Sequence, residues 1–442
     1  MKSIINYSAA LLLSIILMGC CEQKETEEIS QEMAKTVIDL RKVESIYEDI
    51  KVEYAKLRPK VIMPAEGYLK YPYLIPAGFY KQMWDWDGFF MGNHFISQNQ
   101  PEYMKYWALN LIEGVDEEGY VSGCATTKGP RPIFGKFSMK PFLSQGVFLA
   151  SQKMDDFKWV EEHYEALMKV LEYRDQTQFD TVYGLYYWDN AMQSGADNNP
   201  AMNYFWKEDH RSFLSCDAST FSLREIEAQA LIAKKLGHDE DAEMLKAKAQ
   251  KLKKAINEQL WCDEDKMFYN IDRETGDFYK RVSYSCFVPL LHKIPSKENG
   301  RAMIEKYLIS EDHMKAAYGF RTLSKQDPDY NNKNIIVPFS NWQGPVWPIA
   351  NYIYSVGLKH YGFENELVWQ AQTLGQLMLT DLKEWGSLHE NYHADTGAPL
   401  APSSDHVDKD GKFVGFISWN LCVENMLAGV VDAQWMLLEI DK

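Results

Sequence analysis

The segment from Leu245 to Asp272, LKAKAQKLKKAINEQLWCDEDKMFYNID, decides the fold class of the chain. Its apolar side chains recur at spacings of three and four residues, at Leu245, Ala249, Leu252, Ile256 and Leu260. This spacing predicts an amphipathic helix that buries one face. An acidic turn follows the helix, and the short aromatic segment Met267-Phe-Tyr-Asn270 follows the turn. Helix, acidic turn and aromatic segment together form one structural unit.

The same unit occurs upstream, where a helix predicted over Lys158–Arg174 leads to Phe179-Asp180 and then to Leu185-Tyr-Tyr-Trp-Asp189. Further helices are predicted over Thr36–Leu57, Met104–Glu113, Asp217–Leu236, Val346–Tyr361, Leu367–Leu382 and Trp419–Leu438. Gly237 is a predicted C-cap. Continuous alternating strand patterns are scarce. The period is typical of a toroid or solenoid of helical hairpins, so we expect one all-α domain over residues 35–442.

The N-terminus predicts export and a lipid anchor. A short apolar run after Lys2 ends in Leu17-Met-Gly-Cys20, which resembles the bacterial lipobox. That resemblance implies cleavage before Cys20 and lipid on Cys20. The alternative is an ordinary signal peptide. We expect a signal peptide over residues 1–19, an acidic flexible tether over residues 20–34, and a location at the bacterial cell envelope, facing the periplasm or the cell surface.

Composition excludes several classes of protein. The net charge of −16 argues against a nucleic-acid partner, because phosphate contacts need a basic surface. No apolar run after Cys20 reaches the length of a membrane-spanning helix. The remaining cysteines are Cys21, Cys124, Cys216, Cys262, Cys286 and Cys422. They lack metal-ligand spacing, so we expect small core residues and neither a metal site nor another cofactor.

Four segments are unusually rich in Trp, Asp, Gly and Pro. They are Trp84–Asp87, Trp188–Pro200, Asn341–Pro348 and Leu388–Gly397. Indole faces stack on pyranose rings, and carboxylates and amides bind sugar hydroxyls. Loops on a rigid scaffold commonly carry such sites. Any single Trp is as readily a core residue, but four such segments favour a carbohydrate site.

Hydrolysis of a glycosidic bond needs one carboxyl group that protonates the leaving oxygen and one that activates water or attacks the anomeric carbon. Asp197 lies in Gln193-Ser-Gly-Ala-Asp-Asn-Asn-Pro200, and Glu390 lies in Leu388-His-Glu-Asn-Tyr392. Spacing alone does not separate these two residues from ordinary surface carboxylates.

The order of four motifs provides the missing information. Trp86-Asp-Gly-Phe-Phe90, Ser194–Pro200, Asn341–Pro348 and Glu390-Asn-Tyr392 with Asp395-Thr-Gly397 follow one another along the chain. Together they resemble glycoside hydrolase family 63, especially its compact bacterial members, which include mannosylglycerate hydrolases. The trehalases of family 37 are a more distant likeness. The resemblance covers about Tyr73 to Trp419.

The resemblance implies a fold and a mechanism. The implied fold is an (α/α)6 barrel, with Asp197 as general acid and Glu390 as general base. Inversion requires the two carboxyl groups to stand about 6.5–9.5 Å apart with water between them. Trp86, Asp87 and Trp342 match the residues that bind the non-reducing sugar.

Further substrate contacts are predicted from the same segments and their neighbours. These are Tyr80, Trp84, Trp188, Gly195, Gln343, His389, Tyr392 and Trp419. We further expect that burial or a neighbouring carboxylate, Asp87 or Glu390, raises the pKa of Asp197.

Two departures from the family pattern concern the substrate. Gln343 stands where the family commonly has Arg, so the guanidinium fork is lost. Met139-Lys-Pro141 is the best match to a Gln-Pro-Pro segment, so a polar contact near the sugar is lost. A charged glycerate would need a nearby cation, and Arg131 and Lys140 are candidates.

The resulting hypothesis is an inverting, exo-acting α-glycosidase that acts on short α-glucosides or α-mannosides. One alternative is a lipid-anchored carbohydrate-binding protein without catalysis, although both matching carboxylates are intact. A lyase or epimerase on the same barrel is another, because His389, Tyr392 and His393 could supply its base.

Overall fold

The computed structural model describes residues 40–76, 80–131, 138–202, 211–334, 340–401, 408 and 410–434. The signal peptide, Cys20 and the tether lie outside these residues, and the assignments made for them stay predictions. The α-helices are α1 (residues 40–61), α2 (Asp85–Ser97), α3 (Glu102–Ile112), α4 (Leu143–Met154), α5 (Tyr164–Gln178), α6 (Ala191–Ser194), α7 (Cys216–Leu236), α8 (Asp239–Gln259), α9 (Tyr284–Phe287), α10 (Lys297–Met303), α11 (Pro348–Tyr361), α12 (Glu364–Trp385) and α13 (Cys422–Val431). Short 3-10 helices cover Lys158–His163, Val288–His292 and Ser418–Leu421, and a π-helical turn covers Ile304–Leu308.

A closed ring of inner helices forms the centre of the molecule. Helix α2 packs on α4, α4 on α7, and α7 on the 3-10 helix Val288–His292. That helix packs on α11, α11 on α13, and α13 returns to α2. Every residue of α2 except Ser97 is buried, as expected of a helix enclosed by neighbours. The ring is the inner layer of an (α/α)6 barrel, which confirms the predicted all-α fold.

Outer helices alternate with the inner ones along the chain. Helix α8 buries only Ala242, Leu245, Ala249, Leu252 and Ile256. Four of these five residues belong to the predicted apolar stripe, so the stripe faces the inner helix α7, on which α8 packs. Helices α1, α3, α5, α10 and α12 occupy the equivalent outer positions.

Small antiparallel sheets join outer helices to inner helices. The strands are β1 (Ile62–Met63), β2 (Tyr73–Leu74), β3 (Met83–Trp84), β4 (Cys124–Thr126), β5 (Gly129–Pro130), β6 (Phe179–Asp180), β7 (Leu185–Tyr186), β8 (Phe213–Leu214), β9 (Trp261–Cys262), β10 (Met267–Phe268), β11 (Asn270–Asp272), β12 (Phe278–Tyr279), β13 (Lys315–Ala316), β14 (Gly319–Phe320), β15 (Asn391–Tyr392) and β16 (Pro399–Leu400). Hairpins β6–β7, β9–β10, β13–β14 and β15–β16 each follow an outer helix. The first two are the acidic-turn and aromatic units of the sequence, so the weak repeat is structural.

Several predicted boundaries need correction. The segment Trp84–Asp87 is not a loop, because α2 begins at Asp85. The predicted helix Lys158–Arg174 is a 3-10 turn followed by α5, which continues to Gln178. Helix α4 is absent from the sequence prediction. Gly237 does end α7, with a φ of +84°.

The cysteines of the described segments act as core residues. Cys124, Cys216, Cys262, Cys286 and Cys422 are buried, in agreement with the sequence prediction, and they form no disulfide with one another. Within the described ranges, no helix is both long enough and apolar enough to cross a membrane.

Candidate active site

The N-terminal ends of the inner helices carry most of the predicted site residues. Trp86 lies in the first turn of α2, Trp342 lies in the segment that leads into α11, and Trp419 lies in the 3-10 turn before α13. The ring centroids of Trp86 and Trp342 are 6.0 Å apart, and those of Trp86 and Trp419 are 5.7 Å apart. Three segments that are distant in sequence therefore meet at one end of the barrel.

This aromatic cluster is tightly packed. Trp342 stacks on Trp347 with centroids 4.2 Å apart, and Tyr284 lies 5.3 Å from Trp342. Trp86, Trp342 and Trp419 are 5%, 1% and 4% exposed. Their indoles therefore serve mainly as the inner wall of the site.

The Asp197 loop packs directly on this wall. Gly195 has a φ of +86°, and a Cβ at this position would lie 2.5 Å from Cζ2 of Trp86. Only glycine therefore satisfies both the backbone conformation and the close approach. Gly195 fixes the distance between the Asp197 loop and α2.

Hydrogen bonds join the Asp197 loop to the segment before α11. Ser340 Oγ donates to Asp197 Oδ2 at 2.6 Å. The backbone N–H of Trp342 donates to Asn198 Oδ1 at 2.6 Å, and Gln343 Nε2 donates to the Asn198 carbonyl at 3.1 Å. The Gln343 amide thus links the Asp197 loop to the segment before α11.

The environment of Asp197 favours its protonated form. Asp197 is partly exposed as a whole residue, and the surrounding protein desolvates its carboxyl group. Burial raises the pKa of Asp197 to about 6, while the Ser340 hydrogen bond and the Lys140 charge oppose the increase. The sequence predicts burial or a neighbouring carboxylate as the cause, and the cause that raises this pKa is burial. Near pH 6 the carboxyl group can both hold and release a proton.

Asp87 is a second buried carboxyl group at this end of the barrel. Burial raises its pKa to about 7, and the charge of Asp85 adds to the increase. Ser418 Oγ donates to Asp87 Oδ1 at 2.7 Å, which lowers the pKa. A protonated Asp87 can donate a hydrogen bond, and an ionised one can only accept.

Glu390 lies on the neighbouring hairpin and is partly exposed. It immediately precedes β15, and Tyr392 of β15 exchanges backbone hydrogen bonds with Val346 at 2.8 and 2.9 Å. Val346 belongs to the same segment as Trp342, so Glu390 and the Asp197 loop are attached to opposite ends of one segment.

The other predicted substrate contacts fall into two groups. Tyr80 and Trp84 are partly exposed, with ring centroids 6.5 Å apart. Trp188, His389 and Tyr392 lie inside the scaffold and are at most 2% exposed. Trp188 Nε1 donates to Asp217 Oδ1 at 3.1 Å.

His389 and Tyr392 share one acceptor on α12. Nδ1 of His389 lies 2.9 Å from Asp381 Oδ1, and the Tyr392 hydroxyl donates to Asp381 Oδ2 at 2.6 Å. Both side chains therefore hold the Glu390 hairpin against the outer layer, and their substrate contacts stay predictions.

The residues that support the two carboxyl groups carry no signal in the sequence. Ser340 and Ser418 precede predicted motifs, and no local pattern marks a serine that bonds a carboxyl group more than 140 residues away. Asp85 lies within the Trp84–Asp87 segment, where the sequence indicates no role for it. Its carboxylate binds Lys140, 55 residues away.

Several buried donors at this end have no hydrogen-bond partner among the residues that the structure describes. They are the Nε1 atoms of Trp84, Trp342 and Trp419 and the Nδ2 atom of Asn198. Buried donors are normally satisfied, so their concentration here indicates a polar ligand or ordered water. Among the described residues, no group of three or more His, Cys, Asp or Glu could hold a metal ion.

The fold and the site together define the class of the chain, a helical-barrel protein with an aromatic, carboxyl-bearing site at one end. A family model described as the mannosylglycerate hydrolase MGH1-like glycoside hydrolase domain matches residues 80–407. The chain belongs to this family of glycoside hydrolases.

Individual relatives are similar over shorter stretches. The mannosylglycerate hydrolase of Rubrobacter radiotolerans is 26% identical over 168 residues, which is 38% of this chain and 36% of the relative. Mannosylglycerate hydrolase MGH1 of Selaginella moellendorffii is 32% identical over 92 residues, 21% of this chain and 17% of the relative. The matched stretches therefore cover about a third or less of these relatives.

Solved structures are similar in fold over a larger share. The family 63 mannosylglycerate hydrolase from Thermus thermophilus in complex with glucose has a TM-score of 0.62 and 16% identity, and the match covers 84% of this chain and 97% of that one. Neutral trehalase from Saccharomyces cerevisiae has a TM-score of 0.60 and 15% identity, with 81% and 74% covered.

Proposed function

We propose that this chain is an inverting, exo-acting α-glycosidase of short α-glucosides or α-mannosides, with Asp197 as general acid and Glu390 as general base. The observation that carries the proposal is the environment of Asp197. Its carboxyl group is fixed by Ser340 and has a pKa raised to about 6, which suits a proton donor near neutral pH.

The placement of Glu390 supports its role as base. It is partly exposed, so water can reach it, and its hairpin is anchored by Tyr392 and His389 on Asp381. In the proposed reaction, Asp197 gives its proton to the leaving oxygen while Glu390 takes a proton from the attacking water. The product is the free sugar with inverted anomeric configuration.

The surrounding donors support a polyhydroxylated substrate. The Nε1 atoms of Trp84, Trp342 and Trp419, which have no partner in the described part of the chain, can each donate to a sugar hydroxyl. Lys140, a candidate partner for an anionic aglycone, already pairs with Asp85. The names of the relatives indicate mannosylglycerate as their substrate. A neutral glucoside or mannoside fits this site at least as well.

His389 and Tyr392 favour hydrolysis over elimination. A lyase would need His389, Tyr392 or His393 as a base beside the scissile bond. Nδ1 of His393 accepts a hydrogen bond from the backbone N–H of Asp395 at 3.2 Å, so only its Nε2 is left for that role. The comparison therefore rests on His389 and Tyr392. Both instead hydrogen-bond to Asp381 and are 2% and 0% exposed.

The test is sugar release from mannosylglycerate, trehalose, nigerose, kojibiose and mannobioses, with the anomer of the product followed by proton NMR. We expect an inverted reducing sugar from at least one of them. Asp197→Asn and Glu390→Gln should each lower kcat at least about 1,000-fold while leaving the circular dichroism spectrum unchanged. Asp49→Asn, on the exposed face of α1, is the matched control. Near-normal turnover in either variant contradicts the assignment, and an unsaturated product indicates a lyase.

A further inference from the structure

Lys140 brings a charged side chain into the interior of the site. It lies just before α4 and is 9% exposed. Its backbone N–H donates to Asp85 Oδ2 at 2.8 Å, and its Nζ lies 3.2 Å from Oδ1 and 3.5 Å from Oδ2 of the same carboxylate. The Nζ also lies over the ring of Trp86, 5.0 Å from its centroid. Lys140 is thus attached to the turn of α2 that carries Trp86 and Asp87.

The backbone around Lys140 is held from several sides. The N–H of Met139 donates to the carbonyl of Val121 at 2.8 Å, and the guanidinium of Arg174 donates to the carbonyl of Met139. The carboxylate of Glu225 accepts from the backbone N–H groups of Ser144 and Gln145 in the first turn of α4, at 2.6 and 3.1 Å. The ammonium group therefore keeps a fixed position, unlike that of a surface lysine.

The titratable groups that face Lys140 come from several elements. They are Asp85 and Asp87 on α2, Asp197 after α6, and Cys124 on β4. Arg174 on α5 adds a second positive charge beside Asp85. Trp86 contacts both Lys140, whose Nζ lies 5.0 Å from its ring centroid, and Gly195 of the Asp197 loop, which packs against the same ring. From this position the ammonium group lowers the pKa of both Asp87 and Asp197, against the effect of burial, which raises both.

We propose that Lys140 is a positioning residue whose ammonium group, paired with Asp85 across the face of Trp86, sets the upper pH limit at which Asp197 still holds its proton. The proposal rests on the proposed function, since it treats Asp197 as the proton donor. Lys140 is not proposed to contact the reacting atoms. It acts through its charge and through the turn that it holds.

The pairing of Lys140 with Asp85 gives predictions of opposite sign. Lys140→Met removes a positive charge near Asp197, so the pKa of Asp197 should rise by on the order of one unit. Asp85→Asn removes the negative partner and leaves the ammonium group uncompensated, so the pKa of Asp197 should fall. The double variant should lie between the two single variants. Lys140→Arg keeps the charge and is the matched control.

The pKa of Asp197 can be measured without a substrate. The Tm of each background is compared with that of the same background carrying Asp197→Asn, from pH 4 to pH 9. When the pKa of a carboxyl group is higher in the folded than in the unfolded protein, its ionisation destabilises the fold. The free energy of unfolding therefore falls as pH rises from the unfolded pKa of 3.8 to the folded pKa of about 6, and this loss stays constant at higher pH. The pH at which the Tm difference levels off, called the levelling pH below, therefore reports the folded pKa of Asp197.

The levelling pH should move up in Lys140→Met, stay in place in Lys140→Arg and move down in Asp85→Asn. An unchanged levelling pH in Lys140→Met, or a shift of both charge-removing variants in the same direction, overturns the proposal. If Lys140→Met does not fold, Asp85→Asn still provides a signed test.

Activity then tests the connection to catalysis. With whichever disaccharide or glycerate glycoside of the substrate panel is cleaved, the alkaline limb of the kcat/KM profile should move with the levelling pH. A shifted levelling pH with an unmoved alkaline limb overturns the proposal. Normal turnover by Asp197→Asn contradicts the proposed function instead, so the two failures are distinguishable.

Discussion

Two buried carboxyl groups of this site have properties that suit the proposed chemistry but reduce the stability of the fold. Asp87 and Asp197 are both carboxyl groups in buried positions, and each receives a hydrogen bond from a serine of another segment. Burial raises both pKa values because the charged form loses its hydration. Of the two, Asp87 has the larger shift, so its ionisation near neutral pH should cost the fold more.

Asp87→Asn should therefore stabilise the protein in a pH-dependent way. The pKa of Asp87 is raised from 3.8 to about 7, so wild-type stability falls across this interval and stays reduced above it. The amide stays neutral and can still accept from Ser418. We expect the free energy of unfolding of the variant, relative to that of wild type, to be roughly 2–4 kcal/mol greater at pH 8 than at pH 4. Tm measurements at both pH values test this.

The matched control for this measurement is Asp49→Asn, whose carboxylate lies on the exposed face of α1. It should show a much smaller change between the two pH values. A pH-independent difference between Asp87→Asn and wild type would contradict the burial argument. Sugar release by Asp87→Asn should fall, because the predicted contact with the sugar is altered.

Among the elements, the outer helix α8 can be recognised from its sequence pattern, whereas the inner helices α2 and α4 cannot. Helix α8 has one buried stripe, so its 3.6-residue period is visible. Helix α2 is buried on almost every side and begins with Asp85-Trp-Asp87, which has the composition of a loop. The N–H groups in the first turn of α4 are capped by Glu225, about 80 residues away, so α4 has no local start signal.

The Asp197 loop is the element most sensitive to its packing distance. Gly195→Ala places a methyl group against Trp86, where the Cβ would lie 2.5 Å from Cζ2, and it also strains a φ of +86°. We expect the loop to move away from α2 and kcat/KM to fall by about 100-fold, since a shift near 1 Å is enough for such a loss.

Gly237→Ala is the control that introduces the backbone strain of Gly195→Ala without a steric contact like that with Trp86. Its φ of +84° nearly equals that of Gly195, but no atom lies within 4 Å of the added Cβ. This control should lose about 1 kcal/mol of stability and little activity. Equal activity losses in the two variants would show that the contact with Trp86 is unimportant.

At the scale of the whole molecule, the site exists only because the ring closes. Trp86 follows the first outer helix and Trp419 precedes the last inner one, yet their rings are 5.7 Å apart. The ordered motifs identify Asp197 and Glu390 as candidates through family resemblance. They do not reveal Lys140, Ser340 or Ser418 as partners, because those contacts depend on which helix ends meet.

Asn425 of α13 carries much of the polar contact that closes the ring. Its Oδ1 accepts from Nδ1 of His94 at 2.9 Å and from Ser97 Oγ at 2.9 Å, both on α2. Its Nδ2 lies 3.4 Å from the hydroxyl of Tyr352 on α11. Arg58 Nε donates to Nε2 of His94, so Nδ1 must carry the hydrogen, and burial lowers the pKa of His94 to about 3.

Asn425→Ala should therefore open the ring at the α13–α2 contact. The change leaves the buried Nδ1–H of His94 without an acceptor, which costs roughly 2–3 kcal/mol. Asn257→Ala on the outer helix α8 removes one hydrogen bond to Lys253 at a partly exposed position and should cost less than about 1 kcal/mol. Denaturant unfolding compares the two variants. Because Trp419 precedes α13, sugar release by Asn425→Ala should fall at a lower denaturant concentration than global unfolding requires. Equal stability of the two variants would mean that apolar packing alone closes the barrel.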